Sequence, residues 1–125
     1  MDIILSIHPK WINKIRSGEK TVELRKRLPK NINRIFVYAT SPVKKIIGII
    51  YIKHIIKSDI FDLYDSTIGK TGCSDDEFLN YFLNSDFGYG IVIDYFQKIK
   101  QFAIVNPPQS FKYCTPDILK NMCFC

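Results

Sequence analysis

Residues 18–27 read GEKTVELRKR, and six of these ten side chains are charged. Within them Val22 and Leu24 alternate with Thr21, Glu23 and Arg25, the period-two pattern of a half-buried strand whose polar side chains share one face. Gly18 directly precedes it and reads as the left-handed stop of a helix. That helix opens at Pro9, where a missing N–H costs nothing, and sets Trp11, Ile12 and Ile15 on one face. A helix that ends in glycine and passes at once into a charged strand places Lys20, Glu23 and Arg25 around one junction.

Upstream, Asp2 to Ile7 forms a short apolar strand. The segment MDIILSIHPKW has no basic leader and no small-residue cleavage site, so it reads as a first strand rather than a signal peptide. Downstream, Pro29, Asn31 and Asn33 mark a loop, Arg34 to Ala39 is a buried strand, and Thr40 to Lys44 is a turn. Lys45 to Ile56 is a long strand in which Gly48 signals a bulge or the close approach of another backbone. A short helix around Ile60 to Tyr64, a break at Gly69 to Gly72 and a capping box at Ser74 to Glu77 follow. The box opens a helix expected to run through Asn84. Gly88 to Ile99 returns to strand, Phe102 to Val105 adds a last short one, and Thr115-Pro116 caps a final helix.

The strands lack regular βαβ spacing, which argues against a doubly wound sheet. At 125 residues, 46% hydrophobic and 14% aromatic, the chain suits one compact domain, residues 1–125, with a ring-rich core. The fold class is α+β, a small mixed β-barrel of five to six strands with peripheral short helices.

No apolar run is long enough to span a membrane, and the expected location is cytoplasmic. Four cysteines without a secretory signal read as reduced thiols. Their closest pair is Cys123 and Cys125, and His8 and His54 lie far off in sequence, so no metal site is expected. No metal, nucleotide or flavin motif occurs, and no cofactor is implied.

The net charge of +6 is uneven: residues 1–57 carry a balance of +10 and residues 58–125 one of −4. A solvated basic face and a phosphate-binding surface both fit the first half, and the acidic second half leaves a protein partner open.

Three segments carry a resemblance: LSIHPKWINKIRSGEKTVELRKRLPK at 5–30, IFVYATSPVKKIIGII at 35–50 and NPPQSFKY at 106–113. Helix stop, Lys20, Thr21 and Arg25 at their spacing, then the YATSP turn and PPQSF, resemble the ASCH domain family of the PUA-like superfamily over nearly the whole chain. The resemblance implies a PUA-like barrel with a cleft between barrel and helices. It also implies binding of RNA or other nucleic acids, with some relatives reading modified bases. A bacterial subgroup similar to this domain instead hydrolyses N4-acylated cytidine with a Lys, a Thr and a Glu. Lys20 matches that lysine, but Glu23 stands at the threonine position, and Lys70 and Thr71 stand where the glutamate is expected. Fold alone does not choose between these activities.

The expectation is a nucleic-acid-binding module, RNA rather than duplex DNA, with a basic cleft. The alternative is a small enzyme on nucleoside or RNA substrates, an N4-acylcytidine amidohydrolase or a ribonuclease, with Lys20 and Glu23 catalytic. Glu23 and Arg25 at i and i+2 form a charged pair that either braces the rim or takes an exocyclic amine and a phosphate. Lys26, Arg27, Lys30 and Arg34, with Lys44 and Lys45 near the turn, form a basic group expected on the backbone phosphates, and Lys10 is expected among the nucleic-acid-binding residues. Thr21, Thr40, Ser41 and Ser110 offer hydroxyls. His8 is expected at the cleft or as a helix cap, Tyr38 and Trp11 in the core, and Tyr81 near the ligand.

Overall fold

A computed structural model describes residues 1–124. In chain order the elements are β1 (Ile3–Ile7), α1 (Pro9–Ser17), β2 (Val22–Arg25), β3 (Arg34–Ala39) and β4 (Lys45–Asp59). They continue with α2 (Ile60–Thr67), α3 (Asp75–Tyr81), β5 (Phe87–Phe102), β6 (Phe111–Tyr113) and α4 (Pro116–Leu119). The strands form one sheet in the order β2-β5-β4-β3-β1-β6. β1 and β3 pair in parallel, while the remaining neighbours are antiparallel. The sheet curls so far that Arg25 on edge strand β2 donates from Nη2 to the Ser6 carbonyl on β1, 2.7 Å away. That curled six-stranded sheet with short helices is the small PUA-like α+β architecture expected from sequence.

The inner face of the curl holds the main core, including Ile3, Leu5, Ile7, Ile35, Val37, Ile50 and Ile91, and α1 closes it with Ile12 and Ile15. Each such side chain, fully buried, contributes about 1.5–3 kcal/mol. On the outer face Ile4, Phe36, Tyr38, Ile46, Ile49 and Ile99 form a second cluster under the C-terminal segment, and Tyr38 lies in the core as expected. A third cluster joins Val22 and Leu24 of β2 to Leu63 of α2 and to Phe78 and Phe82, packing those helices behind the β2 edge.

Local chemistry fixes the element ends. Gly18 adopts φ 84°, and its N–H returns to the Ile15 carbonyl, which stops α1 as the sequence requires. Gly48 sits where the register shifts against both β3 and β5. A Cβ there would strike the Phe96 ring and come within 2.8 Å of the Gln97 carbonyl oxygen, so bulge and close approach are both present.

Three boundaries differ from expectation. α3 ends at Tyr81, and Asn84 takes φ 65°, because Phe82 turns inward to the third core cluster. The last strand is Phe111–Tyr113 rather than residues 102–105. Phe102 instead completes β5 opposite Ile46, and the free edge of β1 pairs with the later segment. Thr115 makes no side-chain cap, and α4 begins on Pro116 alone. Cys73, Cys114 and Cys123 are free thiols, whereas Cys125, the partner in the close cysteine pair, lies outside the described residues.

Candidate functional site

The junction of α1 and β2 opens into a cleft of about 510 Å³. His8 and Trp11 of the α1 start, Lys20, and the β2 residues Glu23 to Arg25 form one side. Cys73 and the α3 residues Glu77, Asn80 and Tyr81 form the other. The glycine stop makes this possible: the chain turns from helix to strand within four residues, so Lys20 is carried under the helix and is only 3% exposed.

Glu23 is 5% exposed and lies between two cations. Its Oε1 is 3.3 Å from Lys20 Nζ, and its Oε2 accepts from Arg25 Nε at 3.0 Å and Nη2 at 2.7 Å. The polar face of β2 is therefore buried, not solvated as the half-buried pattern suggested, because a carboxylate shared by Lys20 and Arg25 tolerates removal from water. Lys20 Nζ also donates to the Thr71 carbonyl at 2.7 Å, while Lys14 Nζ donates to the Gly72 carbonyl at 2.7 Å. These two lysines tie the loop before α3 to the junction. The main chain reinforces the tie, since Thr21 and Val22 both donate to the Lys70 carbonyl.

The cleft is not basic. Two carboxylates, Glu23 and Glu77, face the two cations Lys20 and Arg25 among its lining residues. Its unspent hydrogen-bonding capacity is nevertheless weighted toward donors. Arg25 uses Nε and Nη2 and makes no hydrogen bond from Nη1, and the Lys20 ammonium makes one hydrogen bond, to the Thr71 carbonyl, beside its ion contact with Glu23. His8 caps α1 by accepting the Lys10 N–H at Nδ1, 3.0 Å, which puts its neutral-state proton on Nε2. Burial pushes the Tyr81 phenol up, opposed by Arg25 and reinforced by Glu23, so its hydroxyl keeps its proton.

Glu77 completes the α3 capping box: it accepts the Ser74 N–H at 2.9 Å, and its Oε2 takes Lys10 Nζ at 3.0 Å across the mouth of the cleft. The Ser74 N–H first, and Lys10 second, hold its carboxyl down to about 2. Because that value is depressed from 4.5, the stabilisation is present above pH 4.5 and is lost as pH falls from there through about 2. Carboxyl-carbon NMR is expected to give a Glu77 midpoint near 2, rising partway in Lys10→Ala because the Ser74 contact persists. A wild-type midpoint of about 4.5 would mean that neither contact forms in solution.

Of the residues singled out in the sequence, His8, Lys20, Glu23, Arg25 and Tyr81 come together in this lining. Lys10 stands beside it in the bridge to Glu77, and the Lys26 ammonium lies over the Tyr81 ring, 5.1 Å from its centroid. Thr21, Arg27, Thr40, Ser41 and Ser110 do not line the cleft. Trp11 is shared between core and cleft, with the Lys10, Lys14 and Lys20 ammoniums 4.5, 5.2 and 5.1 Å from its ring centroid. Sequence reasoning missed Leu24, Cys73, Glu77 and Asn80 as lining residues. Glu77 was visible only as a helix cap, and no local signal placed α3 across from β2. Among the described residues no group of three or more His, Cys, Asp or Glu is placed to hold a metal.

The chain is similar to known proteins in sequence and in fold. The ASCH domain family model matches residues 5–108. The "ASCH domain-containing ribonuclease" of Zymomonas mobilis subsp. mobilis is 30% identical over 123 residues, covering 90% of this chain and 83% of that protein. The crystal structure of ASCH from Zymomonas mobilis superposes with a TM-score of 0.86 at 25% identity, covering 98% of this chain and 96% of the other. A serine-to-alanine mutant of that protein gives 0.85 at 26% identity, with 95% and 92% covered. By the span of the family match and the fold that carries it, the chain belongs to the ASCH domain family.

Proposed function

We propose that this protein acts on RNA and that the cleft receives one nucleotide of a single strand. The observation that carries the reading is the buried Lys20–Glu23–Arg25 triad, in which Arg25 Nη1 and part of the Lys20 ammonium make no hydrogen bond. A phosphate oxygen satisfies Arg25 Nη1 and a Lys20 N–H as a charge-assisted pair. Trp11 and Tyr81 on opposite walls offer rings to a base, and base–aromatic stacking is sequence-tolerant. The name of the Zymomonas mobilis relative supports RNA as the substrate class.

Cleavage of the strand is a second reading, favoured by that same name and by a carboxylate set beside cations. In it Glu23 takes the 2′-hydroxyl proton, the 2′-oxygen attacks the phosphorus, and Lys20 and Arg25 stabilise the charge that develops on the phosphoryl oxygens. The 5′-oxygen leaves with the proton of the Tyr81 hydroxyl, which solvent restores, giving a 2′,3′-cyclic phosphate. The amidohydrolase chemistry of the related subgroup uses a threonine hydroxyl where this chain has Glu23, which cannot act as that nucleophile without a change of mechanism.

Labelled single-stranded RNA and DNA, titrated at low and high salt with wild type and Lys20→Ala, test the proposal. Binding to RNA that weakens as salt rises is the expected result. No salt-sensitive binding to either strand overturns it. RNA recovered cut by wild type and intact with Lys20→Ala establishes the enzymatic reading, and release of cytidine and a carboxylate from N4-acylated cytidine would replace both.

A further inference from the structure

The triad is not the end of the polar face on which it lies. Arg25 sits directly opposite Tyr89 on β5, and Tyr89 sits directly opposite Lys57 on β4. Residues paired across a sheet point to one side, so Arg25, Tyr89 and Lys57 form a single row across three strands. Two strand spacings, roughly 10 Å, separate its ends. Two residues before Tyr89, Phe87 lies on the same face, with the ring centroids 6.5 Å apart and edge-on. The Lys57 ammonium lies over both rings, 4.9 Å from the Phe87 centroid and 5.6 Å from that of Tyr89.

Core packing does not account for this group. Further along the same face, Ile55 and Ile91 belong to the inner core, whereas Phe87 is 48% exposed and Lys57 is exposed and forms no ion pair among the described residues. An ammonium poised over two accessible rings, in register with an arginine whose Nη1 is open, presents alternating cation and π-face along one line. A nucleic-acid strand presents the complement, alternating phosphate and base.

We propose that Phe87, Tyr89 and Lys57 form a second nucleotide subsite for single-stranded RNA, continuous with the cleft through Arg25. A strand seated with one nucleotide in the cleft runs across β2, β5 and β4, stacks its next base on Phe87 or Tyr89, and sets the adjoining phosphate on Lys57. The inference rests on the cleft being an RNA site.

The test compares two ligands, uridine 5′-monophosphate and an octauridine, on wild type, Lys57→Ala and Phe87→Ala. Both side chains are exposed, so thermal midpoints are expected to match wild type. Each substitution is expected to weaken the octanucleotide roughly tenfold, about 1.4 kcal/mol, and to leave the mononucleotide, which fills the cleft alone, within twofold. Octanucleotide affinity unchanged in both variants, with the mononucleotide still bound, overturns the second subsite and leaves the cleft reading in place. Failure of wild type to bind either ligand removes the cleft reading and this one with it.

Discussion

Replacing Glu23 by alanine is expected to destabilise the fold by about 3–5 kcal/mol, the range for breaking a buried ion pair from one side. The carboxylate is 5% exposed and is the counter-ion of both Lys20 and Arg25, so its removal strands two cations in a place that water barely reaches. Lys20 keeps its bond to the Thr71 carbonyl and Arg25 its bond to the Ser6 carbonyl. Backbone dipoles offset only part of a lost full charge. Glu23→Gln retains one acceptor oxygen and is expected to lose roughly half as much. Urea midpoints of the two variants measure the difference. A loss under about 1 kcal/mol in Glu23→Ala would instead be that of a solvated surface pair and would contradict the burial of the triad.

That burial was the part of the site the sequence concealed. A strand alternating Val22 and Leu24 with Thr21, Glu23 and Arg25 has the pattern of one dry and one wet face, and nothing local says that α1 and α3 enclose the wet one. The pairing itself was legible, because residues at i and i+2 on a strand share a face whatever covers it. The α1 stop was legible for a similar reason: a glycine at φ 84° is a local requirement. β6 was not, since three residues between PPQS and CTP form a strand only because β1 leaves an edge free. Net charge misled about the cleft in the same way. A balance of +10 over residues 1–57 counts cations without showing that Glu23 absorbs two of them and that Glu77, from the acidic half, comes across to face them. Interactions a few residues apart are written in the sequence, whereas those between β2 and α3 depend on the whole curl of the sheet.

Arg25→Ala is expected to weaken single-stranded RNA binding on the order of 100-fold, within the 2–5 kcal/mol span for truncating one member of a buried charge pair. Two effects add. The guanidinium that offers Nη1 to a phosphate disappears, and Glu23, which Arg25 holds at 2.7 Å, is left with Lys20 alone and turns part of its charge toward the incoming anion. The salt dependence is expected to become shallower by about one unit in log–log slope, the signature of one lost phosphate contact. Arg25→Lys separates the two effects: it retains a cation, but a single ammonium cannot brace Glu23, reach the Ser6 carbonyl and face a phosphate with a rigid fork. Its slope should stay close to wild type while affinity falls roughly tenfold, about 1.4 kcal/mol. The fold should survive both changes better than it survives Glu23→Ala, because Glu23 keeps one cation and no unpaired cation is left behind. If Arg25→Ala binds RNA within about threefold of wild type, the phosphate does not sit on the triad, and the donors of the cleft face some other acceptor.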